Sequence, residues 1–328
     1  MVTGGLVVFS DIHLSAPLRT LPSGTLTQQA EGAPVLELDR LSKRFGDVVA
    51  LDGCSFRVRA GRMVGFLGPN GSGKTTAMRS IFGLVALDAG DVRWDGAPAT
   101  AEVSRRFGYM PESRGLYPKM TVRDQVEYFA ALHGLDRAAA RKSADRWLDR
   151  LGLGERADST VESLSHGNQQ RVQLAVSLAF PADLLVLDEP FSGLDPIAVA
   201  TMGEVIREEA ARGAAVLFSS HQLDLVEDLC DDVVIIDHGR VVLDGVLREV
   251  RAASAYRYVE VTGGVPGWQS ALPRAEVIWQ RDSRIRLRLP STTEPASVLA
   301  AARTDGPVEG FAFEPPSLSD LFVEAVTK

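Results

Sequence analysis

The stretch Gly68-Pro69-Asn70-Gly71-Ser72-Gly73-Lys74-Thr75-Thr76 decides how this chain is read. It follows a short apolar run, Met63-Val64-Gly65-Phe66-Leu67, and precedes Ala77-Met78-Arg79-Ser80-Ile81-Phe82, whose apolar positions suit a helix. Strand, glycine-rich turn and helix form the setting that a phosphate-binding loop requires. Glycines let successive backbone N–H groups point inward at an anion, and the helix N-terminus adds the positive end of its dipole. In that setting Lys74 reaches the β- and γ-phosphates, and the Thr75 hydroxyl sits on Mg²⁺. A chance glycine-rich turn ending in Lys-Thr is the plain alternative, and the correct flanks on both sides argue against it. The reading is a nucleotide-binding protein.

Bulk properties narrow the classes. At 328 residues the chain has room for one large domain and a smaller one. A net charge of −8 argues against a dedicated nucleic-acid binder, which carries a basic field. Cys54 and Cys230 lie far apart and form no metal-like pair with the five histidines, so they read as small buried residues rather than a disulfide. No apolar run reaches bilayer length. The N-terminus lacks a basic leader region, and Asp11 and His13 end its short Leu6-Val7-Val8-Phe9 run early. The expectation is a cytosolic protein whose membrane business is done through a partner.

Along the chain, residues 1–33 read as a flexible tail rich in Ser, Thr, Gly, Pro and Gln. Strands are predicted around Val35–Leu38 and Cys54–Arg59. An Asp95-Gly96 turn is predicted to close a strand over residues 90–94. Apolar residues recur at helical spacing from Val122 to about Leu151, predicting a helical insertion (about 113–165) within an α/β domain spanning 34–248. Two continuous apolar runs, Leu184-Leu185-Val186-Leu187 and Val216-Leu217-Phe218, predict strands covered on both faces of a parallel sheet. Val233–Ile236 and Arg240–Leu243 read as a closing hairpin. After about Val250 the composition shifts to a small α/β accessory domain, 249–328. Its strand Arg284-Ile285-Arg286-Leu287-Arg288-Leu289 alternates basic and apolar, and the basic side reads as a solvated face rather than a binding surface. Ser317 and Asp320 read as a capping box for the last helix, with Leu318, Leu321, Phe322 and Ala325 on one face.

The chemistry collects at predicted strand ends. Asp188-Glu189 closes one apolar run: Asp188 is placed to hold Mg²⁺, and Glu189 to take a proton from, or orient, an attacking water. A purely structural acidic pair fits poorly there, because two adjacent carboxylates are costly to desolvate. His221 ends another run, on the carboxyl edge where open α/β sheets place ligands. Phe45 offers a flat π-face to an adenine ring, although a lone phenylalanine belongs more often to a core.

Taken in order, Phe45, Gly68 to Thr75, Glu112, Leu164-Ser165-His166-Gly167-Asn168-Gln169, Asp188-Glu189, Ser192-Gly193-Leu194-Asp195 and His221 resemble an ATP-binding cassette (ABC) ATPase, over roughly Val35 to Gly245. The resemblance implies a phosphate-loop ATPase fold: a mainly parallel core sheet, an antiparallel β subdomain and a helical insertion. It implies ATP and Mg²⁺ as cofactors. It also implies that Gly68, Pro69, Asn70, Gly71, Ser72, Gly73, Lys74, Thr75 and Thr76 hold the triphosphate while Phe45 stacks on adenine. Glu189 becomes the catalytic carboxylate and His221 the switch histidine. Asp195 falls in the loop that communicates across a dimer. Ser165, His166, Gly167 and Asn168 form a signature stretch that contacts the γ-phosphate of the opposite subunit, so hydrolysis needs a second copy of the chain. Two departures stand out. His166 and Asn168 replace the usual Gly and Gln, and Glu112 occupies a loop position that normally carries Gln, where it could coordinate Mg²⁺ or water and would also repel the γ-phosphate.

The surroundings of Glu112, Met110 to Met120, and the extension after Val250 resemble an export-type branch of the family. That implies a separate multi-span permease as partner, docked near Glu112 to Met120, a place at the inner face of the cell membrane, and no nucleic-acid partner. The alternative is a non-transport relative acting on the ribosome or DNA. One cassette, no heptads and an acidic balance argue against it.

Overall fold

The computed structural model describes residues 34–113, 115–264, 267–304 and 306–327; the tail expected over residues 1–33 lies outside them. Strands β1 (Pro34–Phe45) and β2 (Val48–Arg59) pair antiparallel across the Gly46-Asp47 turn. Strand β3 (Met63–Leu67) leads through the glycine-rich loop into helix α1 (Lys74–Ile81). Strands β4 (Ala89–Trp94) and β5 (Ala97–Pro98) form a hairpin whose turn residues Asp95 and Gly96 have φ of 49° and 77°. That is the left-handed pair a two-residue turn demands. Helix α2 (Ala101–Ser104) and strand β6 (Phe107–Met110) follow. Then come α3 (Val122–Leu132), α4 (Arg137–Arg150), α5 (His166–Ser177), β7 (Leu184–Leu187), α6 (Pro196–Ala211), β8 (Ala215–Ser219) and α7 (Leu223–Leu229). The rest of the chain comprises β9 (Asp232–Asp237), β10 (Arg240–Val246), α8 (Leu247–Ala253), β11 (Tyr256–Gly263), β12 (Glu276–Arg281), β13 (Arg284–Pro290), α9 (Pro295–Arg303), β14 (Val308–Glu314) and α10 (Leu318–Val326).

The central sheet has the order β10-β9-β3-β8-β7-β6, parallel from β9 to β6 with β10 antiparallel at the edge. Its apolar runs divide residue by residue between two cores. Val64, Phe66, Leu184, Val186, Leu217, Val234 and Ile236 pack with α1 and with the antiparallel sheet β2-β1-β4-β5. Their neighbours Met63, Leu67, Leu185, Leu187, Val216, Phe218, Val233 and Ile235 pack under the helices on the opposite face. Period-two side-chain alternation in a sheet covered on both sides explains why the runs carry no polar residue until they end. Each fully buried Val, Leu or Phe contributes about 1.5–3 kcal/mol, so the polar residues permitted are those beyond the last buried rung.

The stretch read as a helical insertion holds two helices, α3 and α4. Gly134, at φ 91°, follows the end of α3, and Asp136 caps α4 by accepting from the Ala139 N–H at 2.8 Å. Among the described residues no helix is long and apolar enough to cross a membrane.

A third sheet, β12-β13-β11-β14, has its own small core of Val259, Val261, Ile285, Leu287, Leu289 and Val298. Its last helix packs elsewhere. Leu318 is fully buried in the helical-side core of the central sheet, and its N–H donates to Glu227 Oε2 on α7 at 2.7 Å. The expected Ser317–Asp320 capping box is present. The expectation of a solvated arginine face holds at Arg284 and is corrected at Arg286 and Arg288, which are half-buried. Arg286 pairs with Asp320 at 2.7 Å, Arg284 donates to Glu260 at 2.9 Å, and Arg288 pairs with Glu276. Asp320 and Glu324 of α10 reach Arg286 and Arg288 on that face, while Arg284 stays exposed beside Glu260.

Candidate nucleotide site

The loop after β3 curls tightly for identifiable steric reasons. A Cβ on Gly68 would stand 2.2 Å from the Ile236 carbonyl oxygen and 2.5 Å from Ser72 Oγ. Gly73, at φ 108°, is the N-cap of α1, and a Cβ there would stand 2.3 Å from the Ala50 carbonyl oxygen. Strand β2 and the β9–β10 turn thus brace the loop from outside, and the Gly239 N–H donates to the Ser72 carbonyl at 2.9 Å. Lys74 is buried inside the curl and donates to the Gly68 and Pro69 carbonyls at 2.7 and 3.1 Å. Burial lowers its pKa, and the negative charges of Glu189, Asp188 and Glu112 oppose that shift. Ser72 Oγ is buried with no partner. Pro69 and Thr76 are half-buried, while Asn70 and Gly71 are exposed at the tip.

Three neighbouring strands bring the remaining groups to the same edge. Strand β7 releases Asp188, which is 1% exposed and accepts from Thr75 Oγ1 at 2.9 Å through Oδ2 and from Ser219 Oγ at 2.7 Å through Oδ1. Glu189 follows with φ 53°, a left-handed conformation costly for a glutamate. Its N–H donates to Ser219 Oγ at 2.9 Å, and its carbonyl accepts from Gln170 Nε2 at 2.9 Å. Strand β8 releases His221, whose Nε2 lies 3.2 Å from Glu189 Oε1. That contact is not a hydrogen bond, and Oε1 is buried with no hydrogen-bond partner. Burial raises the Glu189 pKa, the positive side of His221 opposes it, and Asp188 adds to it.

Strand β6, the outer neighbour, leads to Glu112. A cavity of about 460 Å³ is lined by Glu112, Ser113, His166, Gln170, Glu189 and Ser192. It joins the loop after β6, the start of α5 and the Asp188-Glu189 corner. Ser165 is the N-cap of α5 and accepts from the Asn168 N–H at 3.4 Å. The His166 ring lies over Gly193, where a Cβ would stand 2.9 Å from its Cδ2, and a Cβ on Gly167 would stand 3.3 Å from Leu194. Asp195 caps α6 by accepting from the Ala198 N–H at 2.8 Å, with Pro196 at the first helical position. Phe45 is half-exposed at the tip of the β1–β2 hairpin, its ring 5.3 Å from Lys43 Nζ. The second strand of that hairpin is the one that abuts Gly73.

Sequence reading missed Ser219 and Gln170. Their signals were present: a serine ending an otherwise apolar run, and the last of three successive side-chain amides. Both are buried, which makes each an anchor for a backbone or carboxylate it touches.

The donor set suits a nucleotide with its metal. A glycine-rich curl leading into a helix N-terminus, an ammonium and an unpartnered buried hydroxyl favour phosphate. A hydroxyl beside a carboxylate supplies the hard oxygens Mg²⁺ takes together with phosphate oxygens.

Comparison with known proteins points to ATP as the nucleotide. Residues 51–192 match the family described as ABC transporter, and residues 245–326 match the ATP-binding protein DrrA1-3-like, C-terminal domain. The uncharacterized ABC transporter ATP-binding protein YhaQ of Bacillus subtilis (strain 168) is 35% identical over 303 residues, covering 89% of this chain and 98% of its own length. The Nod factor export ATP-binding protein I of Ralstonia nicotianae is 39% identical over 215 residues, covering 65% and 67%. A solved structure of the ATP binding subunit of an ABC transporter aligns with a TM-score of 0.63 at 32% identity, covering 66% of this chain and 92% of that one.

Proposed function

The chain belongs to the ATP-binding subunits of ABC transporters, and from that premise we propose that it is the ATP-hydrolysing subunit of an exporter, working as a head-to-tail dimer beneath a separate multi-span permease. The observation that carries the hydrolytic reading is the convergence on one sheet edge of Lys74 and Thr75 after β3, His221 after β8 and Asp188-Glu189 after β7. Gly68 to Thr76 wrap the triphosphate, with Lys74 leaving its loop carbonyls for the β- and γ-oxygens. Thr75 and Asp188 would hold Mg²⁺, whose charge would offset that of the phosphates when bound. Phe45 stacks on adenine.

Glu189 accepts the proton of the attacking water as that oxygen bonds to the γ-phosphorus and the bond to the β-bridging oxygen breaks. Its burial raises its proton affinity toward what such a base needs. His221 keeps the carboxylate and the γ-phosphate in line. Glu112 borders the same space and adds negative charge near Lys74.

Ser165, His166, Gly167 and Asn168 present a helix N-terminus to the γ-phosphate held by the second copy, and Asp195 lies in the loop joining the two sites. The permease meets the face around Tyr117, Pro118, Lys119, Met120 and Glu162, which line a cavity of about 560 Å³ beside the helical insertion. That contact holds the subunit at the inner membrane face. Relatives named for Nod factor export support the direction of transport. The test is MgATP hydrolysis by the purified chain alongside Glu189→Gln. Hydrolysis by the first and a nucleotide-trapped dimer of the second are expected; neither occurring overturns the reading. Recovery with ribosomes or nucleic acid instead of a membrane protein overturns the transport assignment.

A further inference from the structure

Glu189 takes a backbone conformation that an L side chain adopts only under constraint, and the constraints come from both sides. A left-handed non-glycine residue costs on the order of 1–3 kcal/mol and persists only where its surroundings over-determine it. At Glu189 the N–H is bonded to Ser219 Oγ at 2.9 Å, from the last residue of β8. The carbonyl is bonded to Gln170 Nε2 at 2.9 Å, from the middle of α5, and to the Ser192 N–H at 3.2 Å. Ser219 has no exposure and Gln170 only 4%, so water does not compete for either bond. Gln170 Nε2 also reaches the Pro190 carbonyl at 3.1 Å, and Ser219 Oγ also donates to Asp188 Oδ1 at 2.7 Å.

We infer that Ser219 and Gln170 are positioning residues for hydrolysis, clamping the Glu189 peptide so that its carboxylate faces His221 and the γ-phosphate. The inference rests on the reading of Glu189 as the proton acceptor. It adds a connection within one chain: α5, the helix whose start would meet the partner's nucleotide, also holds this chain's own catalytic carboxylate through Gln170. Strand β8 carries the opposite jaw two residues before His221. A shift of either element moves Glu189. Because Ser219 also steadies Asp188, Gln170 is the cleaner probe of the clamp: it touches Glu189 and Pro190 and neither metal-side group.

The test is a double-mutant cycle on the full chain with MgATP as substrate. Ser219→Ala and Gln170→Met are each measured alone and in a Glu189→Gln background, with ADP affinity as the binding control. Each single variant is expected to lower kcat about tenfold or more through misplacement of the base, with ADP affinity within about twofold of the parent. In the Glu189→Gln background neither should lower the residual rate further, because the group they position is gone. Single variants with kcat within twofold of the parent overturn the clamp, as does an equal loss in both backgrounds. Ser219→Ala removes one oxygen from a rigid strand, so a folding failure at Gln170→Met leaves the cycle readable. If Glu189→Gln hydrolyses like the parent, the base assignment has failed rather than the clamp.

Discussion

At the residue scale, Glu189 concentrates the conflict between stability and activity. Its carboxyl is held above the usual glutamate range chiefly by burial, with Asp188 adding to the effect. If Glu189 is the proposed base it must be ionised to act, so hydrolysis should fall as pH drops through this raised pKa. The acid limb of the pH–rate profile should lie above about pH 4.3, where an unperturbed glutamate titrates. The sign for stability is opposite. A carboxyl whose folded pKa exceeds its unfolded one stabilises the fold fully below the unfolded pKa, and that stabilisation is lost as pH rises through the folded pKa. At neutral pH the ionised side chain is therefore a burden. Glu189→Gln should raise the melting temperature at pH 7 while lowering hydrolysis about 10²–10⁴-fold. A melting temperature that falls, measured by calorimetry, would contradict the burial argument. Lys74→Ala should act differently: it removes the ammonium proposed to meet the phosphates, so nucleotide affinity itself should fall when titrated at equilibrium.

Helix α10 is the element that most changes how the C-terminal segment is understood. One side carries Leu318, Phe322 and Ala325 into the helical-side core, while the other presents Asp320 and Glu324 to the arginine strand β13. Tyr258 adds a hydroxyl hydrogen bond to Glu324 at 2.9 Å, and Arg251 links Glu227 of α7 to the Pro316 carbonyl. Nine residues thus join two sheets. Leu318→Ala should cost about 2–5 kcal/mol in urea unfolding, since it empties a fully buried site. Asp320→Ala leaves the Ser317 cap but removes the capping-box carboxylate and the partner of Arg286 together, and should cost about 1–3 kcal/mol by the same measurement. Equal stability of both variants and the parent would show that α10 is not held as described.

For the whole molecule, the placement of functional groups makes a prediction about copies. Lys74 and Ser165 belong to the same chain but, in a head-to-tail pair, to different sites. Lys74→Ala and Ser165→Ala chains should each be nearly inactive alone. Mixed one to one, half the dimers are heterodimers with both defects in one site and the other site intact. Activity should recover to about a quarter of the parent rate if pairing is random and the sites fire independently. No recovery on mixing would mean that each chain hydrolyses without its partner's helix.

Much of the molecule was legible before folding. Gly68 to Thr76 reads as a phosphate loop from its own nine residues, because its glycines and its lysine are local features of the sequence. The buried strands announce themselves by staying apolar up to their last residue, and Ser317 and Asp320 declare a helix start through a three-residue spacing. What covers a face is not local. Alternation in Arg284 to Leu289 shows which side chains share a side, but the acids that neutralise Arg286 and Arg288 arrive on α10 some 34 residues later, by docking against a different core. The clamp on Glu189 is of the same kind. Ser219 and Gln170 reach it across 30 and 19 residues of chain, and a side chain's hydrogen-bond partner is set by where strands and helices pack. By itself the sequence determined the phosphate loop, the strand ends that carry Asp188, Glu189 and His221, and the parallel sheet beneath them. The tertiary structure alone decided which polar groups meet, because those contacts depend on sheet order and helix docking rather than on neighbours in the chain.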